Sequence, residues 1–208
     1  MPSEILFAIL AILLVAILVI RKARGKGWEG EWIVARKLRR LPHGYIVLND
    51  LLLPTTGQGS TQIDHLVVSE YGVFVIETKN YSGIITGSEY GEIWTKNMFG
   101  HKFSLHNPIE QNQTHIRAVA RILTNAKIGS RVYSIITFPK AAKLMIKSDR
   151  CEIVHFNRLC QTIRKYQDVQ MDWDTAQRAA KILREANITN HRRRREHLKY
   201  VKQRKMIK

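Results

Sequence analysis

Two apolar runs of strand length, parted by a short polar break, dominate the pattern of the chain. Gln62-Ile63-Asp64-His65-Leu66-Val67-Val68 and Val73-Phe74-Val75-Ile76-Glu77-Thr78-Lys79 flank Ser69-Glu70-Tyr71-Gly72, which reads as a hairpin turn. Side chains alternate along a strand, so Gln62 and Asp64 share one face, and so do Glu77 and Lys79. A turn with two or four loop residues sets position 64 against 77 and position 62 against 79. A three-residue turn with a bulge at Gly72 slips the register and parts the pairs. The stretch Val73–Ile76 is apolar on both faces, which predicts a central strand.

Other elements fall around this hairpin. Glu31, Val34, Ala35, Leu38 and Leu41 recur at helical spacing and predict a helix from about Trp28 to Leu41, stopped by Pro42 and Gly44. Tyr45–Leu48 and Leu51–Leu53 read as strand broken around Asn49-Asp50, and 54–60 as a loop. Ile84–Thr86 and Glu92–Lys96 read as a short hairpin about 88–91. Asn107 is an N-cap, with Pro108 at the first helical position and Glu110 at the third, for a helix running to about Lys127. Its stripe is Ile109, Ile116, Ala120 and Leu123, while Gln111 and His115 lie on a different face. Val132–Phe138 and Cys151–His155 read as strands; Arg158–Tyr166, capped by Asn157, and Asp174–Ala186 read as helices. The expected class is an α/β sandwich in which the second half completes and covers the sheet.

The two ends differ from this body. Ile5–Ile20 is an unbroken apolar run followed by Arg21, Lys22, Arg24 and Lys26, which predicts one N-terminal transmembrane helix at about residues 3–20. No basic leader precedes the run, unlike a cleaved signal peptide, and the basic flank behind it puts the body in the cytoplasm. Residues 190–208 carry nine Lys and Arg against Glu196, so much of the formal net charge of +17 sits in this tail. Arg192, Arg193, Arg194, Arg195 and Lys199 are its expected binding residues for nucleic-acid phosphate or an anionic bilayer, in a segment disordered or frayed in isolation. The division is an anchor and flank at 1–26, a first unit at 27–130, an extension at 131–189 and the tail. The two cysteines, Cys151 and Cys160, exclude a disulfide scaffold.

Candidate chemistry lies in the hairpin. Adjacent carboxylates repel unless a cation joins them, and hard oxygen ligands suit magnesium or manganese. A neighbouring lysine orients or deprotonates a water and offsets transition-state charge. The plain alternative is a cross-strand ion pair on a solvated face. Glu31 is an acid on a core-facing stripe, where an unpaired charge is costly. His115 reads as an ordinary helix histidine and not as a ligand.

Four motifs in order resemble one family. Gly27-Trp28-Glu29-Gly30-Glu31 fits an opening Gly-x-x-Gly-Glu. Gln62-Ile63-Asp64-His65 is followed by Glu77-Thr78-Lys79-Asn80 with Gly83, and then by Asn107-Pro108 with Gln111-Asn112. Over roughly residues 27–128 the chain resembles the nuclease-related domain, NERD, a branch of the restriction-endonuclease-like PD-(D/E)xK superfamily. The resemblance implies a mixed sheet flanked by helices. It implies that Asp64, Glu77 and the backbone carbonyl of Thr78 bind Mg2+ or Mn2+, and that Lys79 handles the attacking water. Glu31 lies near the metal and Gln111 beside the active site, with Gln62 in support. The expected function is membrane-anchored, divalent-metal-dependent hydrolysis of DNA or RNA phosphodiesters. Its rival is a non-catalytic nucleic-acid-binding or scaffold module tethered to the membrane.

Overall fold

The computed structural model describes residues 3–57 and 59–206, and the hairpin is its centre. Strand β2 (Ser60–Ser69) pairs antiparallel with β3 (Gly72–Thr78), from Ser69↔Gly72 to His65↔Ile76. The loop has two residues, Glu70 and Tyr71, and the Tyr71 amide donates to the Ser69 hydroxyl. Gly72 sits at φ 129°, and a Cβ there would meet the Tyr133 ring and the Arg131 carbonyl. The register is therefore the unslipped one.

Strand β1 (Tyr45–Pro54) lies on the far side of β2 and is continuous. The expected break at Asn49-Asp50 is only a local twist. Asp50 takes φ 54° while the pairing holds one register on either side of it. Val73 to Ile76 are fully buried because β7 (Val132–Phe138) pairs parallel on the open edge of β3, and β9 (Glu152–His155) follows it. The five-stranded order is β1-β2-β3-β7-β9.

Helices cover both faces. One carries α2 (Pro108–Asn125) and α4 (Trp173–Glu185), whose Val119, Leu123, Ala179 and Leu183 pack on Leu66, Val68, Val73 and Val75. The other carries α1 (Ser3–Leu38) and α3 (Leu159–Ile163), whose Val34, Leu38, Leu159 and Ile163 pack on Val67, Phe74 and Ile76. The α3 N-cap is Arg158, which makes no side-chain cap bond, and not the expected Asn157.

The short hairpin expected at 84–96 is present, with Ile84 paired to Asn97, but it lies within a second, four-stranded sheet that the sequence did not predict. That sheet is built from β4 (Gly83–Thr86), β5 (Ile93–Met98), β6 (His101–His106) and β8 (Ala142–Met145), in the order β6-β5-β4-β8. Ile85 and Trp94 seat it against Ile109, Ile136 and Phe138.

At the N-terminus the backbone is one helix from Ser3, not an anchor followed by a separate helix at Trp28. Among the described residues no helix is long and apolar enough to cross a membrane, so the expected span at 3–20 is unsupported. Part of that expectation, the side chains of Ser3, Glu4, Ala8, Leu13, Leu14 and residues 16–26, lies outside the described residues. The tail forms α5 (His191–Met206), seated on the body at Arg194 and His197.

Candidate active site at the splayed end of the hairpin

Pairing between β2 and β3 ends at His65↔Ile76, and the next position would set Asp64 against Glu77. Beyond it β2 stays with β1 down to Ser60↔Pro54. A side chain closes the gap: the Thr78 amide donates to Asp64 Oδ2 at 2.8 Å. The N–H and C=O of one strand residue point to the same side, so the Thr78 carbonyl also faces the Asp64 side.

Glu77 and Lys79 project from β3 onto the α2 face of the sheet. Lys79 Nζ donates to Glu77 Oε1 at 2.6 Å and to Gln111 Oε1 at 2.8 Å. His115, one turn further along α2, lies 3.1 Å through Nε2 from Glu77 Oε2, and its Nδ1 lies 2.7 Å from Thr61 Oγ1. An ionised carboxylate only accepts, so Nε2 carries the proton toward Glu77. Asn112, fully buried between them, donates to the Val75 carbonyl and Ser134 Oγ and fixes α2 against β3 and β7.

Helix α1 reaches the same end of β3 through a glycine. A Cβ on Gly30 would stand 2.7 Å from the Asn80 Cβ and 3.4 Å from the Thr78 methyl, so only glycine lets the helix approach this closely. Glu31 follows directly. It lies near enough for Asp50, Glu77 and Lys79 to influence its titration.

The nuclease-related domain family matches residues 26–139, more than half of the chain. This chain belongs to the NERD family. It is also 37% identical over 180 residues to an uncharacterized protein of Bacillus anthracis, covering 85% of this chain and 84% of that one. The superfamily that contains NERD is the restriction-endonuclease-like one.

Electrostatics sort the acids of this NERD site into two kinds. Burial pushes the Glu77 carboxyl upward, but the Lys79 ammonium and the His115 hydrogen bond outweigh it and hold Glu77 down at about 2. Burial opposes the Lys79 charge too, yet Glu77, then Tyr81, keep the ammonium above its ordinary value. Asp64 goes the other way. Burial, then Glu77, then Glu31 lift its carboxyl well above the usual range, against the Thr78 amide. Glu31 is raised by burial, then by Asp50 and Glu77.

Among the described residues, no three His, Cys, Asp or Glu side chains form a ready-made metal cage. The donors at this end of the hairpin are hard oxygens: the Asp64 carboxylate, which holds the Thr78 amide, and the Glu77 carboxylate, which holds Lys79 and His115, with the Thr78 carbonyl beside them in the chain. That set matches magnesium, which takes one or two carboxylates and keeps several waters. Burial, and after it the two neighbouring acids, disfavour the Asp64 charge, and a divalent cation relieves both costs. The residues fit such an ion.

Asp64, Glu77, Lys79 and Gln111 thus come together, with Glu31 at the edge. Gln62 does not join them. Its amide turns across to β1 and donates to Asp50 Oδ1 at 2.8 Å, so Gln111 is the glutamine that meets Lys79. His115 and Thr61 are the residues the sequence reading missed. The expected stripe on α2 differs too: the buried face includes Asn112 and His115, while Ile116 is only partly buried. The four-residue step from Gln111 to His115 was the available signal.

The basic tail also divides. Arg194 is a structural pin, bonding Asp50 Oδ2 at 2.9 Å, the Asp50 carbonyl at 3.0 Å and the Ile188 carbonyl at 3.0 Å. His197 Nδ1 lies 3.1 Å from Ser60 Oγ, next to Thr61. Arg192 pairs with Glu196, while Arg193, Arg195 and Lys199 face solvent. A cleft of about 710 Å³ lined by Tyr45, Tyr71, Gln161 and Arg164 lies at the turn end of the hairpin, away from these acids.

Proposed function

We propose that this protein hydrolyses phosphodiester bonds of DNA or RNA with a divalent cation. The observation that carries the reading is one juxtaposition. Asp64 caps the Thr78 amide where the strands part, and Lys79, near enough to act on Asp64, is held between Glu77 and Gln111. A pure binding module has no need of that arrangement. Family membership supports a nuclease-related role in the same direction.

Asp64, Glu77 and the Thr78 carbonyl would hold Mg2+ or Mn2+. When bound, the ion polarises a phosphoryl oxygen and lowers the pKa of a coordinated water. Each protein group then has a distinct task. Lys79 spends two of its three N–H donors on Glu77 and Gln111, which aims the third. Because its ammonium is stabilised, it orients the attacking water and offsets charge on the phosphoryl oxygens; it does not act as a base. Gln111 supplies an acceptor to Lys79 without adding charge. His115, braced by Thr61, fixes the second oxygen of Glu77. Glu31, its carboxyl raised by burial and then by Asp50 and Glu77, stands at the site's edge, where it can relay a proton.

The exposed Arg193, Arg195 and Lys199 of α5 supply phosphate contacts of the sequence-independent kind. Placement at the inner face of a membrane is a separate proposal that rests on the apolar run Ile5–Ile20 and its basic flank alone. It is tested by whether full-length protein sediments with membranes and resists extraction by salt.

The deciding experiment assays full-length protein on single- and double-stranded DNA and RNA with magnesium or manganese, beside Glu77→Ala and Lys79→Ala. The expected result is metal-dependent cleavage that both substitutions abolish, with nucleic-acid binding largely kept. No product on any substrate, from folded protein, moves the assignment to the non-catalytic binding module.

A further inference from the structure

We propose that Tyr81, Lys96 and Phe103 form a stacking track that leads single-stranded nucleic acid from the second sheet into the site. The inference rests on the nuclease reading for its occupant and names the strand state of the substrate.

Lys96 on β5 and Phe103 on β6 are paired across the antiparallel ladder and share a face. The Lys96 Nζ lies 4.6 Å from the Phe103 ring centroid and 5.8 Å from that of Tyr81, so the ammonium sits between two aromatic rings. Among the described residues no carboxylate pairs with it. Tyr81 follows Lys79 by two residues in the chain, which ties this end of the track to the candidate site. The other end is open. β6 is an edge strand, Phe103 is 46% exposed on it, and Phe99 at the β5–β6 turn is 96% exposed.

An exposed and a half-buried aromatic ring on either side of one lysine suit a chain that offers both π-faces and phosphates. Single strands stack their bases on aromatic side chains, whereas a duplex hides those faces in its own stack. An ammonium held over aromatic rings with no carboxylate partner among the described residues keeps its charge for a phosphodiester backbone. Both features select the same partner.

The test is binding, measured in chelator so that cleavage plays no part. Fluorescence anisotropy follows a labelled short single strand, as DNA and as RNA, and the matching duplex, against full-length protein. Phe103→Leu should weaken single-strand binding on the order of ten-fold and leave duplex binding nearly unchanged. Phe103→Trp should restore it. Lys96→Met should weaken single-strand binding and make the salt dependence shallower by about one counterion. Circular dichroism checks that each variant is folded. If single-strand and duplex binding fall together, or Phe103→Leu changes neither, the track is refuted. The two readings fail separately. A wild type that cleaves nothing yet loses single-strand binding through Phe103→Leu keeps the track and discards the nuclease; a cleaving wild type with unaltered Phe103→Leu binding does the reverse.

Discussion

Replacing Asp64 by asparagine separates the two roles of this carboxylate. The amide keeps the side chain's shape and an oxygen that accepts from the Thr78 amide, now 2.8 Å away. What it loses is a charge-assisted hydrogen bond in favour of a neutral one, a cost of about 1 kcal/mol. What it removes is larger. Burial raises the Asp64 carboxyl far above its ordinary value, and Glu77 and Glu31 add to the effect. Asp64→Asn should therefore stabilise the metal-free protein at pH 7, by about 1–2 kcal/mol, as relief of a strained functional site commonly does. Excess magnesium should reverse the order. An ion at a hundred times its Kd stabilises the wild type by about 2.7 kcal/mol and has little to bind in the variant. The assay is urea unfolding of both proteins, in chelator and in magnesium, beside cleavage, which the variant should lack. A variant less stable in chelator, or one that gains as much from magnesium as the wild type, refutes the assignment. Asp64 would then be only a strand cap.

Three further outcomes follow from the same contacts. His115→Ala removes a charged hydrogen bond to Glu77 and leaves the buried Thr61 hydroxyl without its partner, so urea unfolding should show a loss of about 3 kcal/mol, and cleavage should fall as Glu77 loses a donor; His43→Ala, distant from the acids, should do neither. His65, bonded to Asn49, is held near 4 by burial, below its ordinary 6.5, although Glu77 pulls the other way. Between those values the unfolded chain binds the extra proton, so this contribution is complete above pH 6.5 and lost as pH falls toward 4, by about 3 kcal/mol in chelator; His65→Gln should flatten that part of the stability profile, and an unchanged slope counts against it. Arg194→Ala unpins α5 from Asp50, which should speed amide exchange along that helix by about 5- to 30-fold while the β3 amides keep their protection.

The sequence by itself determined the centre of this protein. Period-two alternation is a local property, so an apolar run at 73–76 flanked by Glu77 and Lys79 already placed both on one face of a buried strand. The unslipped turn then brought Asp64 toward them. Asn107 capping α2 through the Ile109 amide was equally local. Tertiary structure alone decided the competitions. Gln62 and Gln111 were both candidates to meet Lys79, and the choice went to Gln111 because Asp50, on the neighbouring strand, takes the Gln62 amide. His115 looked plain because its partners Thr61 and Glu77 lie 54 and 38 residues away in the chain. Residues of β6 are almost all exposed and only Phe103 and Leu105 alternate as apolar positions, too short a pattern to mark a strand without its pairing to β5. The tail read as unattached charge for the same reason. One arginine of four in its run finds Asp50 across 144 residues, and a charge count cannot tell which.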